Sequence, residues 1–210
     1  PPKLQTVFFD IEVDFHKEKG YSNPEDPFNA ITAMSLYLDW TNTLVTLAMP
    51  PSSMTMETAK DLCSRFDNTY LFTSEAELLK TFLELIEDAD IVSGWNSEGY
   101  DIPYTVNRIT RVLSKDDNRK WCLWGQQPKK RTFERFGKES ITFDLVGRVH
   151  LDYMQLYRKY TYEERHSYTL DAIGEYELDE RKVQYEGTLD QLYNQDFEKF
   201  IDYNRQDTLL

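Results

Sequence analysis

The sequence predicts an α/β fold in which a mixed β-sheet is flanked by helices. Two observations lead to this prediction. Near the start of the chain, three β-rich segments follow one another, and from there on helical segments alternate with further short strands. Near the middle of the chain, strand-like segments at residues 131–136 and 140–145 flank a turn at residues 137–139, and they predict a protruding β-hairpin at about residues 131–145.

Five strands are predicted for the main sheet. The first is apolar and β-branched and carries acids near its end. The second and third are separated by a short turn at residues 40–42, which predicts an antiparallel pair. The last two are short apolar segments. In chain order, the five strands are predicted at residues 4–13, 30–40, 43–49, 70–72 and 89–93.

Six helices are predicted from apolar residues that recur with the helical period. The second begins at Ser74, because Ser74 and Glu77 have the spacing of a capping box. The third begins at Asp101 and tolerates Pro103 in its first turn. In chain order, the helices are predicted at residues 56–66, 74–86, 101–113, 151–160, 168–176 and 195–210.

The bulk composition excludes several classes of protein. The chain has 210 residues, of which 40% are hydrophobic, so it can form a core, and we expect residues 1–210 to make one domain. The apolar stretches are far shorter than the roughly 18 residues that a membrane span needs, so we expect no membrane partner. Cys63 and Cys122 have neither zinc nor redox spacing and suggest no disulfide scaffold, which fits a reducing cytoplasm as the expected location.

The net charge of −13 argues against a protein that binds nucleic acid through a broad basic surface. An acidic chain can still bind DNA in two ways. Cations can lie between its carboxylates and the phosphates, or a covalently attached neighbour can supply the basic surface. The charge therefore directs attention to the arrangement of the acidic side chains.

Three acidic groups stand out by their position on the predicted elements. Asp10 and Glu12 lie two residues apart on the first strand, so both point to the same face, where two buried acids are costly without a cation. Asp101 begins a helix, and Tyr203 and Asp207 share one face of the last helix. Each has an ordinary alternative: a solvent-facing strand end, a helix N-cap and the polar edge of an amphipathic helix.

Considered together, these side chains predict a metal site. Their ligand atoms are all oxygen, which suits Mg²⁺ or Mn²⁺ better than zinc or copper. Two such cations roughly 4 Å apart can stabilise both the attacking and the leaving oxygen of a phosphoryl displacement.

Three segments resemble the Exo I, Exo II and Exo III motifs of family B DNA polymerases, and the chain resembles the T-even-phage type in particular. The predicted hairpin and the two helical segments that follow it, LDYMQLYRKY and SYTLDAIGEY, extend the resemblance over nearly the whole chain. The three motifs are FFDIEV at residues 8–13, GWNSEGYDIPY at 94–104 and YNRQD at 203–207.

The resemblance implies an RNase H-like exonuclease fold and a two-metal 3′→5′ exonuclease that releases nucleoside 5′-monophosphates. It implies that Asp10, Glu12 and Asp207 hold the Mg²⁺ or Mn²⁺ ion that activates water. Asp10, with Asp101 acting through water, serves the second ion. Tyr203 is expected to hydrogen-bond the attacking water. Together these are the five expected catalytic residues.

Contacts with single-stranded DNA are expected around this centre. Asn96 opens the second motif and is expected to support the site, while Phe15 and Tyr100 are candidates for base stacking, with core packing as the alternative. Tyr100 stands where the family commonly has Phe. Basic residues on and before the hairpin are expected to help move a primer end, with a solvated charged loop as the alternative; they are Lys129, Lys130, Arg131 and Arg135.

We expect the chain to be the proofreading segment of a longer polymerase, because it begins without Met and stops close to the third motif. The expected partners are a primer 3′ end and the rest of the polymerase chain, and a monomer is expected. No nucleotide addition is expected from this segment. Two alternatives are a free-standing DNA or RNA exonuclease and a catalytically silent RNase H-like module.

Overall fold

The computed structural model describes residues 2–135 and 137–210. Six strands of the described chain form one sheet. They are β1 (Thr6–Val13), β2 (Ile31–Leu38), β3 (Thr43–Ala48), β4 (Thr69–Leu71), β5 (Ile91–Gly94) and β8 (Val149–Asp152). Their spatial order is β4-β3-β2-β1-β5-β8. The predicted mixed sheet is confirmed, because β1 is antiparallel to β2 but parallel to β5.

Helices cover both faces of this sheet. The helices are α1 (Met56–Cys63), α2 (Glu75–Leu85), α3 (Asp101–Val112), α4 (Tyr153–Tyr160), α5 (Leu170–Leu178), α6 (Leu189–Gln195) and α7 (Phe197–Leu209), with a 3-10 helix at Asp116–Trp121. On one face of the sheet, Phe9 and its neighbours on β1 pack with Phe82 of α2 and Ile109 of α3 in the larger core. On the other face, Phe200 and Ile201 of α7 pack against β2 and β3.

The predicted hairpin is confirmed as a separate two-stranded sheet of β6 (Lys129–Arg135) and β7 (Lys138–Asp144). Arg135 pairs with Lys138, so Lys138 and Glu139, expected in the turn, belong to the strand. Gly137 has a φ of +71°, a conformation that glycine adopts without a steric penalty. Phe136, expected to end the first hairpin strand, lies outside the described residues.

Several local predictions were wrong. Ser74 makes no side-chain capping hydrogen bond, so the predicted capping box is absent. Residues 149–152 form β8, whereas the sequence predicted no element at residues 149 and 150 and a helix from residue 151; a four-residue strand that runs directly into a helix has too little alternation to be recognised. The sequence analysis also missed the 3-10 helix and α6.

No helix in the described part of the chain is both long and apolar enough to cross a membrane.

Candidate metal centre

Three carboxylates converge beside the carboxyl end of β1. Asp10 and Glu12 lie on the same face of β1, as the strand period predicts, and α7 brings Asp207 onto that face from the other end of the sequence. One oxygen from each of the three carboxylates lies within 4.8 Å of the other two. The structure therefore brings together the strand pair and the acid of the last helix.

Asp101 approaches the same centre from α3. It is the first residue of that helix and only 4% exposed, and the residue at the N-cap is Tyr100. Asp101 Oδ1 accepts a hydrogen bond from the backbone N–H of Ile11, at 3.2 Å, between the two acids of β1. The alternative of an ordinary N-cap aspartate is thus wrong, although Asp101 is not one of the three acids whose oxygens cluster most closely.

The electrostatics of the centre are dominated by burial of negative charge. Burial, together with the neighbouring acid Asp207, raises the pKa of Glu12 to about 8. Burial also raises the pKa of Asp101 to about 7 and the pKa of Asp10 well above its usual range, the latter with help from Glu12. The four carboxylates therefore resist ionising together unless cations join them.

A buried polar chain fixes the orientation of Asp10. Asn204, which is fully buried on α7, donates from Nδ2 to Asp10 Oδ2 at 3.0 Å. Its own Oδ1 accepts from Ser35 Oγ at 2.7 Å, and Ser35 is hydrogen-bonded to Thr46 at 2.9 Å. Because each of these side chains has a hydrogen-bond partner, the Asp10 carboxylate is held in one orientation.

Lys182 is a residue of the centre that the sequence analysis missed. Its Nζ donates to Asp207 Oδ2 at 2.5 Å and to the Tyr203 hydroxyl oxygen at 3.1 Å. Burial lowers the pKa of Lys182, but Asp207 and Tyr203 outweigh it and raise the pKa above its ordinary value, so the ammonium is charged. Lys182 lies in an irregular segment, where no periodicity could have indicated its role.

The donor set fits divalent cations that prefer oxygen. Asp207 Oδ1 is buried and has no hydrogen-bond partner, although its other oxygen is bonded to Lys182. Such an orphaned carboxylate oxygen is costly in a protein interior. One lysine also leaves most of the charge of four carboxylates uncompensated. These residues therefore suit Mg²⁺ or Mn²⁺.

The centre opens into a groove of about 920 Å³ that Tyr203 and Asp101 also line. Of the two expected stacking residues, Tyr100 lines the groove but is partly buried and packs 5.4 Å from the ring of Tyr104. Phe15 is partly exposed and makes an edge contact, at 4.9 Å, with the exposed ring of Tyr21.

The arginines of the hairpin are not simply solvated. Arg131 pairs with Glu98 at 2.7 Å and with Asp144 at 3.0 Å. Arg135 donates to the side-chain oxygen of Asn96, so Asn96 faces the hairpin. Lys129 and Lys130 are exposed. Arg135 is therefore largely buried against the loop, whereas Arg131 is exposed and ion-paired at the surface.

Comparison with known proteins gives a consistent family assignment. Residues 2–173 match the model of the family described as "DNA polymerase family B, exonuclease domain". Asp10, Glu12 and Asp101 lie inside this range, whereas Lys182, Tyr203 and Asp207 lie beyond it. With this match, the mixed sheet, its flanking helices and the separate hairpin confirm the predicted RNase H-like type of fold.

Individual relatives include phage and cellular polymerases. The DNA-directed DNA polymerase of Escherichia phage RB69 is 33% identical over 63% of this chain and 15% of its own length, and that of Enterobacteria phage T4 is 28% identical over the same shares. The DNA polymerase delta catalytic subunit of Bos taurus is 27% identical over 85% of this chain and 16% of its own length. The chain thus spans about one sixth of the length of these relatives.

Proposed function

Because this chain belongs to the family of exonuclease domains of family B DNA polymerases, we propose that it removes nucleotides from the 3′ end of single-stranded DNA by metal-dependent hydrolysis. The observation that supports this activity most directly is the convergence of Asp10, Glu12 and Asp207, with Asp101 beside them. The products would be nucleoside 5′-monophosphates.

The carboxylates divide into two sets of ligands in this proposal. Asp10, Glu12 and Asp207 would hold one Mg²⁺ or Mn²⁺ ion, and Asp10 with Asp101, acting through water, would hold a second. Such a pair of cations supplies a nucleophile near neutral pH and neutralises charge on the phosphate. The buried, unpartnered Asp207 Oδ1 is available for this purpose.

Tyr203 and Lys182 would orient the attacking water. The Lys182 ammonium donates to the oxygen of the Tyr203 hydroxyl and to Asp207, so it fixes both groups. The hydroxyl hydrogen of Tyr203 then points away from Lys182 and can be donated to water. Tyr203 keeps this hydrogen at neutral pH, because burial raises the pKa of its hydroxyl above the ordinary value.

The DNA strand would enter along the groove that these residues line. Tyr100 forms part of the groove, and Phe15 with the neighbouring exposed Tyr21 offers an aromatic surface for a terminal base. Because the chain is strongly acidic, we propose that cations and the remainder of a polymerase chain contribute much of the DNA affinity. In this proposal, residues 1–210 act as one monomeric exonuclease domain of a longer polymerase.

The experiment that tests this function is digestion of a 5′-labelled single-stranded oligonucleotide with Mg²⁺ or with EDTA. We expect laddering from the 3′ end with Mg²⁺ only, and none from an Asp10→Ala/Glu12→Ala variant. The matched control is Glu57→Ala/Asp61→Ala, which removes two exposed acids of α1. Equal laddering by the site variant would refute the assignment, and a folded, inactive wild type would favour the silent-module alternative.

A further inference from the structure

A buried carboxylate lies outside the metal centre, at the carboxyl end of β8. We propose that Asp152 is a positioning residue, which holds the loop that leads to Asp101 and, together with Arg135, fastens this loop to the hairpin. The inference rests on the proposed function, because the position of Asp101 matters only if it serves a catalytic metal. Asp152 itself makes no contact with Asp10, Glu12 or Asp207 in the hydrogen-bond network of the described residues.

Asp152 accepts three backbone hydrogen bonds. Its Oδ1 accepts from the N–H of Asn96 at 3.1 Å and from the N–H of Met154 at 3.0 Å, and its Oδ2 accepts from the N–H of Glu98 at 3.2 Å. The residue is 7% exposed. The bond to Met154 caps α4, but the other two reach across to a different segment of the chain, the loop at residues 95–100.

The sheet places Asp152 where it can hold this loop. β5 and β8 are parallel, and Gly94 of β5 pairs with Asp152 of β8, so both strands end at the same level. The loop begins immediately after Gly94, and Asn96 has a φ of +57°, a left-handed conformation that is unfavourable for most residues. A local restraint on its backbone therefore helps to maintain the turn.

The loop in turn is joined to the first turn of α3. Ser97 accepts from the backbone N–H of Ile102 at 3.0 Å, and Asn96 accepts from the N–H of Gly99 at 3.1 Å. Asp101 lies in the sequence between Gly99 and Ile102, and its carboxylate accepts a hydrogen bond from the backbone N–H of Ile11. A shift of Asn96 or Glu98 away from Asp152 would therefore displace the start of α3, and with it the carboxylate of Asp101.

The hairpin holds the same loop from the other side. Arg131 and Arg135 lie four residues apart on β6, so their side chains share one face of the strand. Arg131 pairs with Glu98. Arg135 donates from Nη1 to Asn96, and its Nη2 lies 3.9 Å from Oδ2 of Asp152. The Arg135 and Asp152 side chains are only 17% and 4% exposed, so their attraction is weakly screened.

Replacing Asp152 by Asn would keep the size of the side chain but turn an NH₂ group toward backbone N–H donors. The loop would then lose at least one acceptor and be pushed away.

The test compares Asp152→Asn with the wild type by initial rates over a range of Mg²⁺ and oligonucleotide concentrations. We expect kcat to fall about 10–100-fold, the range found when the groups that orient metal ligands are removed, and the Mg²⁺ midpoint to rise. KM for the oligonucleotide should change little. A general loss of folded protein would lower the amount of active enzyme without moving the Mg²⁺ midpoint.

Asp116→Asn is the matched control, because Asp116 also accepts from an arginine, Arg119, but is exposed and lies on the 3-10 helix. Its activity should stay within about twofold of the wild type, as expected for an exposed ion pair. If Asp152→Asn does not fold, Asp152→Ser decides the question, because a serine hydroxyl can still cap α4 but is too short to hold Asn96 and Glu98. The expected result is again a raised Mg²⁺ midpoint at an unchanged KM.

The outcomes separate this inference from the proposed function. A wild type without Mg²⁺-dependent laddering would overturn the proposed function and this inference with it. An active wild type whose kcat and Mg²⁺ midpoint are unchanged in a folded Asp152→Asn variant would overturn the positioning role alone. With an unfolded Asp152→Asn variant, unchanged values in a folded Asp152→Ser variant would do the same.

Discussion

Asp207 and Asp152 are both 7% exposed, yet the two carboxylates are satisfied in different ways. Asp152 receives three backbone N–H groups, which offset part of the cost of burying its charge, although burial still raises its pKa above the ordinary value. Asp207 receives one lysine on Oδ2 and nothing on Oδ1, and other acids stand close to it. The difference fits the proposed function, in which Asp152 needs only its protein partners and the unpartnered Oδ1 of Asp207 is available to a cation.

The largest expected effect comes from changing Asp207. Asp207→Asn keeps the shape of the side chain but removes a charged metal ligand, and we expect exonuclease activity to fall on the order of 10³-fold, equivalent to several kcal/mol of lost stabilisation. The measurement is the single-turnover rate on a labelled oligonucleotide. A smaller loss of activity in Asp207→Asn than in Asp152→Asn would contradict the proposed difference between the two acids.

Lys182 should come next, because it orients both Asp207 and Tyr203. For Lys182→Met, we expect kcat to fall on the order of 10²-fold, as for the loss of a group that positions a proton donor. Lys80→Met is a suitable control, since Lys80 is an exposed lysine of α2. Unchanged kcat in Lys182→Met would show that Tyr203 and Asp207 are held well enough by the rest of the fold.

The pH dependence of stability distinguishes a centre that needs cations from one that does not. Glu12 has a pKa of about 8 in the folded chain against an ordinary value of 4.5, so the unfolded state loses this proton first. In EDTA, the free energy of unfolding should therefore fall between about pH 4.5 and pH 8, by an amount on the order of a few kcal/mol. Urea unfolding at several pH values measures it.

Two comparisons sharpen this prediction. Glu12→Gln cannot ionise, so its stability in EDTA should vary less with pH than that of the wild type. Mg²⁺ should stabilise the wild type more at pH 8 than at pH 5, because it binds the ionised carboxylates. A wild type in EDTA that becomes more stable from pH 5 to pH 8 would contradict the assigned burial of negative charge.

The smallest expected effect concerns Asn204, which donates from Nδ2 to the carboxylate of Asp10 at 3.0 Å and, at 3.4 Å, to its backbone carbonyl. For Asn204→Ala, we expect activity to fall about tenfold, consistent with the loss of one buried hydrogen bond of roughly 1–2 kcal/mol. Asn194→Ala, an exposed asparagine of α6, is the control. A loss as large as that of Asp207→Asn would mean that Asp10 has no other restraint.

Sequence predictions succeeded where they depended on residues close in the chain and failed where residues distant in the chain interact. The common face of Asp10 and Glu12 follows from the strand period, which needs only local geometry. The capping box at Ser74 is not formed, and the start of this helix is instead held by Glu75, the next residue, which accepts from the backbone of Ile31 and pairs with Arg108 at 2.7 Å. A capping spacing alone carries no information about such a partner.

The sequence by itself determined the α/β class, the strand-borne acid pair, the hairpin and the resemblance of three spaced motifs to a family. These features depend on periodicity and on residue types at fixed short distances. Only the tertiary structure decided that Lys182 contacts Asp207, that Asp152 holds the loop before Asp101 and that Arg135 reaches Asn96. Each of these contacts joins residues on different elements, and chain spacing does not encode which elements will meet.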